Sequence, residues 1–170
     1  FVLDTSTPSI KSDVAFAEKL KKRCPDSFIV LVGTHPSVCP EETLDYSSAV
    51  TAVAIGEYDC IVTELANALE ESDDLCTVRG LCFRTENGYI HTGPMPPLKE
   101  LDELPFASQF IKEHLEEKDY FFAAATYPSI QIFTGRGCPF HCNFCVYPQT
   151  MHGHAFRARS AENVVAEFEY

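Results

Sequence analysis

The first 70 residues alternate short apolar runs with segments of helical periodicity, and this alternation limits the fold more than any other feature of the sequence. The runs have no regular polar positions, which is typical of parallel strands covered on both faces. We predict strands at residues 1–4, 27–33 and 52–56, and helices over about 8–23, 40–46 and 60–70. The predicted fold class is α/β, a partial doubly wound, Rossmann-like sheet with ligands at the carboxyl ends of its strands.

Local signals predict further elements. Thr7 is expected to cap the first helix, with Pro8 in its first turn. Asn87-Gly88 between two apolar runs predicts a tight hairpin, and the proline-rich residues 93–97 predict an extended connector. A short acidic helix is expected within 106–118, packing of the aromatic residues 120–127, a strand at 129–134, and a last helix capped by Ser160.

Three closely spaced cysteines are the strongest chemical signal in the chain. Cys138, Cys142 and Cys145 follow one another at spacings of four and three residues, in a loop that also holds glycine and proline. Thiolates are soft ligands, so three of them on one loop predict a shared iron-sulfur cluster or zinc ion. Three ligands would leave one iron of a 4Fe-4S cluster open, which favours chemistry over a structural role. The alternative is a zinc site completed by His141, His152 or His154.

Composition excludes several classes of function. The net charge of -12 argues against a nucleic-acid partner, which would require clustered Lys and Arg. No apolar run is long enough to predict a transmembrane segment, and no secretion leader is recognisable. The other cysteines are scattered singly, which favours reduced thiols over a disulfide scaffold. We therefore expect a cytoplasmic protein, and the start at Phe1 leads us to expect a fragment of a longer one.

The pattern CxxxCxxC, with Phe144 just before the last cysteine, resembles the cluster loop of the radical S-adenosylmethionine enzymes. The resemblance implies that Cys138, Cys142 and Cys145 hold a 4Fe-4S cluster whose remaining iron chelates S-adenosylmethionine. It implies that Phe144 lies near the adenine of that cofactor. It also implies reductive cleavage of S-adenosylmethionine to methionine and a 5′-deoxyadenosyl radical, with electrons from a donor such as flavodoxin or ferredoxin.

Two further stretches resemble the subset of that family with an N-terminal cobalamin-binding domain. They are residues 30–42 with the later residues 55–57, and residues 146–151 with the Gly153, Arg157, Arg159 and Ser160 that follow. The resemblance implies corrin contacts at Ser6, Gly33, Thr34, His35, Gly56 and Glu57, although His35 beside Pro36 is equally well explained as a loop histidine. It assigns residues 1–75 to the C-terminal part of the cobalamin-binding domain, 76–127 to a hairpin and proline-rich linker, and 128–170 to the start of the radical S-adenosylmethionine barrel.

The predicted function is therefore that of a cobalamin-dependent radical S-adenosylmethionine enzyme. The family methylates, cyclises or rearranges organic molecules, so we expect a small-molecule, lipid-like or tetrapyrrole-like substrate. The alternative from another class is a non-catalytic binding module, stabilised by zinc or by a cluster.

Overall fold

The computed structural model describes residues 1–120 and 123–170, so Phe121 and Phe122 of the aromatic stretch lie outside the described residues. The chain divides into two compact units. The first unit comprises Phe1–Leu98 and Cys138–His154, and the second comprises Lys99–Gly137 and Ala155–Tyr170.

The first unit is built on a five-stranded sheet whose strands lie in chain order. The strands are β1 (Val2–Asp4), β2 (Val30–Val32), β3 (Ala52–Ala54), β4 (Leu81–Thr85) and β5 (Gly88–His91). The first three are parallel, as predicted, and β4 and β5 form the predicted hairpin. The sequence did not show that β4 would pair antiparallel with β3 and so extend the parallel sheet.

Helices cover both faces of this sheet. They are α1 (Ile10–Arg23), α2 (Thr34–Val38), α3 (Pro40–Asp45) and α4 (Tyr58–Glu71). Alternate residues of β2 point to opposite faces, so Leu31 packs in one core cluster with apolar residues of α1 and α3. Val30 and Val32 pack in the other cluster, with apolar residues of α4. The predicted α/β class is confirmed, and β2 and β3 are buried as predicted, whereas β1 lies at the sheet edge and is largely exposed.

The cap of α1 was predicted incorrectly. The N-cap residue is Ser9, because residues 6–9 form a separate turn in which the Ser9 N–H donates to the Ser6 carbonyl over 3.0 Å. Thr7 instead places its hydroxyl 3.1 Å from Nδ1 of His35. A tertiary contact to α2 therefore takes the place of the expected helix cap.

The second unit contains two helices and a two-stranded ribbon. They are α5 (Ala107–His114), β6 (Gly135–Arg136), β7 (Arg157–Ala158) and α6 (Ala161–Glu169). Ser160 caps α6 as predicted, since its hydroxyl accepts from the Asn163 N–H over 3.1 Å. The strand predicted at 129–134 is wrong: pairing begins only at Gly135, because β7 offers a two-residue partner. In the described part of the chain, no helix has the length and apolar character needed to span a membrane.

A buried ion pair stabilises the second unit. Arg159 donates to the Glu167 carboxylate, and the two side chains are 10% and 2% exposed. The same carboxylate accepts from the backbone N–H and the hydroxyl of Ser108, over 3.4 and 3.0 Å. The pair therefore ties α6 to the start of α5.

Candidate functional site

A cavity of about 320 Å³ lies at the carboxyl ends of β1 and β2 in the first unit. Its volume falls at the low end of the range for small-molecule sites, which is roughly 300–1,000 Å³. Its lining comes from two parts of the first unit. One is the loops at the strand ends together with the start of α4, and the other is the segment that follows the three cysteines. The lining residues are Asp4, Thr5, Ser6, Ser9, Gly33, Thr34, Tyr58, Tyr147 and Met151.

Gly33 allows β2 to end close against β1. Its φ of +108° is a backbone conformation that residues with a side chain rarely adopt. A Cβ at this position would collide with the Asp4 carboxylate and with the Thr5 carbonyl. Glycine here therefore brings the predicted residues Ser6 and Thr34 to the same cavity.

Hydroxyl groups dominate the polar lining, and Asp4 supplies the carboxyl group. Burial raises the pKa of Asp4, a hydrogen bond from the Thr5 backbone opposes that shift, and the nearby charge of Asp13 adds to it. The Thr5 hydroxyl donates to Asp13 over 2.6 Å, which orients the β1 loop. Such a lining suits a ligand with many neutral hydrogen-bonding groups better than a strongly charged one.

The other predicted strand-end residues lie beside the cavity rather than among its lining residues. Ser37 connects the loop after β2 with the loop after β3. Its hydroxyl donates to the Gly33 carbonyl over 2.7 Å and accepts from the Gly56 N–H over 3.0 Å. His35 is buried, and its Nε2 has no hydrogen-bond partner within the described ranges. A buried ring nitrogen of this kind is normally satisfied by a ligand or an ordered water. His35 also lies within α2, so the alternative interpretation of it as a loop histidine is wrong.

A single π-helical turn, Pro148–His152, packs on the same strand ends and is named the π-turn. Nδ1 of His152 lies 3.1 Å from Oε2 of Glu57, and the side chains are 16% and 5% exposed. The Ser37 hydroxyl lies 3.9 Å from the sulfur of Met151. Sequence reasoning treated His152 only as a possible zinc ligand and missed this pairing. The available signal was the resemblance of residues 146–151 to cobalamin-dependent relatives.

The three cysteines lie on one loop of the first unit, but the structure does not bring their thiols together. Cys142 is exposed, Cys138 and Cys145 are half-buried, and all three are free thiols. The Cys145 N–H donates to the Cys142 carbonyl over 3.1 Å, which folds the end of the loop. Within residues 1–120 and 123–170, no group of three His, Cys, Asp or Glu side chains is arranged to hold a metal ion. Phe144 is largely exposed.

The histidines near the loop make other contacts. His152 bonds to Glu57, and Nδ1 of His154 donates to the Cys138 carbonyl over 3.1 Å. The rings of His141 and His154 stack with their centroids 4.1 Å apart. In these contacts the histidines meet a carboxylate, a backbone carbonyl and another imidazole ring.

Curated relatives were found over most of the chain. An uncharacterised methyltransferase of Pyrococcus horikoshii is 32% identical over 165 residues, which cover 96% of this chain and 34% of the relative. The anaerobic magnesium-protoporphyrin IX monomethyl ester cyclase of a Synechocystis species is 29% identical over 126 residues, covering 74% of this chain and 24% of the relative. The chain thus spans about a third or less of the length of these relatives. No protein-family model matches it.

Solved structures share the fold over nearly the whole chain. The radical S-adenosylmethionine methyltransferase TsrM of Kitasatospora setae, solved with cobalamin and a [4Fe-4S] cluster, superposes with a TM-score of 0.64 at 20% identity, over 95% of this chain and 31% of TsrM. OxsB, a cobalamin-dependent S-adenosylmethionine radical enzyme solved with aqua-cobalamin and S-adenosylmethionine, gives a TM-score of 0.74 at 17% identity, over 99% of this chain and 22% of OxsB. At such identities the likeness establishes the fold.

The relatives are a methyltransferase and a cyclase, and both solved neighbours are radical S-adenosylmethionine enzymes with cobalamin. These comparisons confirm the resemblance that the cysteine motif indicated, and they identify the fold of this chain as that of the cobalamin-dependent radical S-adenosylmethionine enzymes.

Proposed function

We propose that this chain is part of a cobalamin-dependent enzyme that cleaves S-adenosylmethionine reductively at a 4Fe-4S cluster and then alters an organic substrate. The observation that carries the proposal is the joining of two features within one unit. The loop with Cys138, Cys142 and Cys145 runs directly into the π-turn, and residues of that segment line the strand-end cavity. The fold shared with TsrM and OxsB supports the same interpretation.

The donor set fits a cluster by its chemistry. Three unpaired thiols stand on one short loop, and thiolates are the usual ligands of iron-sulfur clusters. Cys138, Cys142 and Cys145 would hold three irons, and Phe144 would cover the adenine of S-adenosylmethionine. When bound, the cluster would supply the electron for cleavage, and cobalamin would supply a cobalt ion able to carry methyl groups. Closing the exposed loop over both cofactors would exclude water from the reactive centre.

The strand ends fit the polar periphery of a corrin, which is rich in neutral amides. Ser6, Gly33 and Thr34 would contact it from the cavity wall, since hydroxyl-bearing residues are frequent in the lining. His35, with its unsatisfied buried Nε2, and the Gly56-Glu57 loop would approach it from beside the cavity. We assign residues 1–75 to the cobalamin-binding domain, 76–127 to the hairpin and linker, and 128–170 to the start of the barrel.

The substrate proposed is a small organic molecule, including lipid-like or tetrapyrrole-like compounds, with methylation or cyclisation as the reaction. The tetrapyrrole-like part of this range is supported by one of the relatives, a magnesium-protoporphyrin IX monomethyl ester cyclase. An electron donor such as flavodoxin or ferredoxin would be the protein partner, and the cytoplasm the compartment.

Metal and sulfide analysis after anaerobic reconstitution tests the proposal. We expect iron and acid-labile sulfide in the wild type and loss of most of both in the Cys142→Ala variant. Cys24→Ala is the matched control, because Cys24 is also exposed and lies at the end of α1. Normal iron loading in Cys142→Ala would refute the cluster assignment. Stoichiometric zinc without sulfide would instead support the zinc-stabilised binding module.

Cobalamin binding is measured separately, by retention of corrin absorbance through anaerobic gel filtration. Retention by the wild type would support the strand-end site. Iron and sulfide without any corrin uptake would leave the radical S-adenosylmethionine assignment standing and remove the cobalamin part of the proposal.

A further inference from the structure

Cys138, the first cysteine of the loop, is fixed through its backbone to the residues that follow the π-turn. Its N–H donates to the Gly153 carbonyl over 3.2 Å, and its carbonyl accepts from Nδ1 of His154 over 3.1 Å. These two bonds close the base of the cysteine loop. The position of Cys138 therefore depends on where residues 153 and 154 lie.

His152, the residue just before them, is bonded to the sheet end. Its Nδ1 lies 3.1 Å from Oε2 of Glu57, and both side chains are largely buried, at 16% and 5% exposure. Glu57 is the N-cap residue of α4, so the carboxylate is held at the start of a 14-residue helix. A hydrogen bond to a carboxylate is strong where little water competes.

The bond between His152 and Glu57 also holds a segment that lines the strand-end cavity. Tyr147, which precedes the π-turn, and Met151, which lies within it, line the cavity, and Met151 also contacts Ser37. The Thr150 hydroxyl and N–H both donate to the Val146 carbonyl, over 2.9 and 3.0 Å, so the turn is internally closed. This closed turn, bonded at His152 to Glu57, therefore forms part of the cavity wall.

We propose that His152 is a positioning residue whose bond to Glu57 couples the cavity to the cysteine loop. It holds the π-turn as one wall of the cavity, and through residues 153 and 154 it sets the Cys138 end of the loop. Contact of cobalamin with the cavity wall and the environment of the cluster are therefore linked. This inference rests on the proposed function, because the coupling requires both cofactors to bind.

Substitutions at position 152 separate the geometry of the bond from the size of the side chain. In His152→Asn, the amide nitrogen can take the place of Nδ1. In His152→Gln, a polar side chain of similar length places its amide near the position of Nε2 instead. His152→Leu removes the donor. The matched control is His91→Leu, because His91 and Glu41 form a pair at 3.0 Å whose side chains are 45% and 54% exposed, and neither residue lines the cavity.

The experiment uses the anaerobically reconstituted protein, with cobalamin affinity measured by corrin absorbance and the reduced cluster observed by electron paramagnetic resonance. We expect cobalamin to shift the cluster signal of the wild type. His152→Leu and His152→Gln should weaken cobalamin binding by about 10- to 100-fold, the range for partners that orient ligands, and should abolish the shift. His152→Asn should restore most of both, and His91→Leu should change neither.

Several outcomes would overturn the inference while the proposed function stands. One is wild-type cobalamin affinity in His152→Leu, and another is a wild-type cluster signal that cobalamin does not shift. A third is equal behaviour of the Asn and Gln variants, which also decides the matter if the Leu variant fails to fold. Wild-type protein that binds neither cofactor would refute the proposed function itself, and the coupling with it.

Discussion

Arg84 on β4 is expected to carry a large share of the stability of the first unit. Its guanidinium donates to the Leu44 carbonyl, to the Ser47 carbonyl over 3.2 Å and to the Val50 carbonyl over 2.6 Å. These carbonyls lie in the last turn of α3 and in the loop that leads from it into β3, the strand whose end carries the Gly56-Glu57 loop. A single side chain therefore fixes the approach to the candidate site.

The cost of Arg84→Met follows from the three bonds. A hydrogen bond to a charged group contributes about 1.5–3 kcal/mol. The sum is an upper limit, because the Leu44 and Ser47 carbonyls also accept from the backbone N–H groups of Ser47 and Val50. We expect the free energy of unfolding to fall by about 2–3 kcal/mol in Arg84→Met. Arg84→Lys should cost about half as much, since an ammonium group cannot reproduce the planar fork.

Urea denaturation followed by far-ultraviolet circular dichroism measures this loss, with an unchanged denaturant slope as the sign of an intact native state. Arg79→Met is the matched control, because Arg79 lies just before β4 with an exposed side chain, and it should have little effect. A loss below about 1 kcal/mol in Arg84→Met, where three charged bonds predict more, would refute the reasoning. Equal stability of Arg84→Lys and the wild type would refute the role of the fork.

Three further predictions concern other buried groups. Burial raises the pKa of Glu167, but hydrogen bonds from Arg159 and Ser108 outweigh burial, so the pKa in the folded protein is lowered. The free energy of unfolding of the second unit should therefore fall as the pH drops below about 4.3 toward that lowered pKa. Denaturation measured at several pH values should show that Glu167→Gln flattens this dependence. Burial and the nearby charge of Glu41 raise the pKa of the Cys82 thiol from 9.0 to about 11. Iodoacetamide should therefore alkylate Cys82 at least about 100-fold more slowly than the exposed Cys24, as measured by mass spectrometry. Gly33→Ala should cost more than the roughly 1–3 kcal/mol of left-handed strain alone, because its Cβ has no room, whereas Gly93→Ala, at a φ of +84° in open space, should cost the strain only. Equal losses in the two glycine variants, rapid Cys82 alkylation, or unchanged pH dependence in Glu167→Gln would contradict these expectations in turn.

The sequence by itself determined the features that depend on near neighbours. The apolar run at Val30–Val32 was recognisable as a buried strand because every position in it is apolar. Ser160 was recognisable as a helix cap because its partner, Asn163, lies three residues away. The cysteine motif likewise indicated a family resemblance through spacing on one loop, and that resemblance grouped Ser6, Gly33 and Thr34, which line one cavity.

Only the tertiary structure decided the contacts between distant segments. Glu57 and His152 are 95 residues apart, and nothing near either residue specifies the other. Pairing of β4 with β3 likewise depends on which sheet edge the hairpin meets, and not on the turn that forms it. The segment 129–134 has the composition of a strand, but a strand also requires a neighbouring strand to pair with. In the described chain, the neighbouring β7 pairs with β6 at Gly135–Arg136. The composition of a segment limits the secondary structure that it can form, and the surrounding fold determines which partners it contacts.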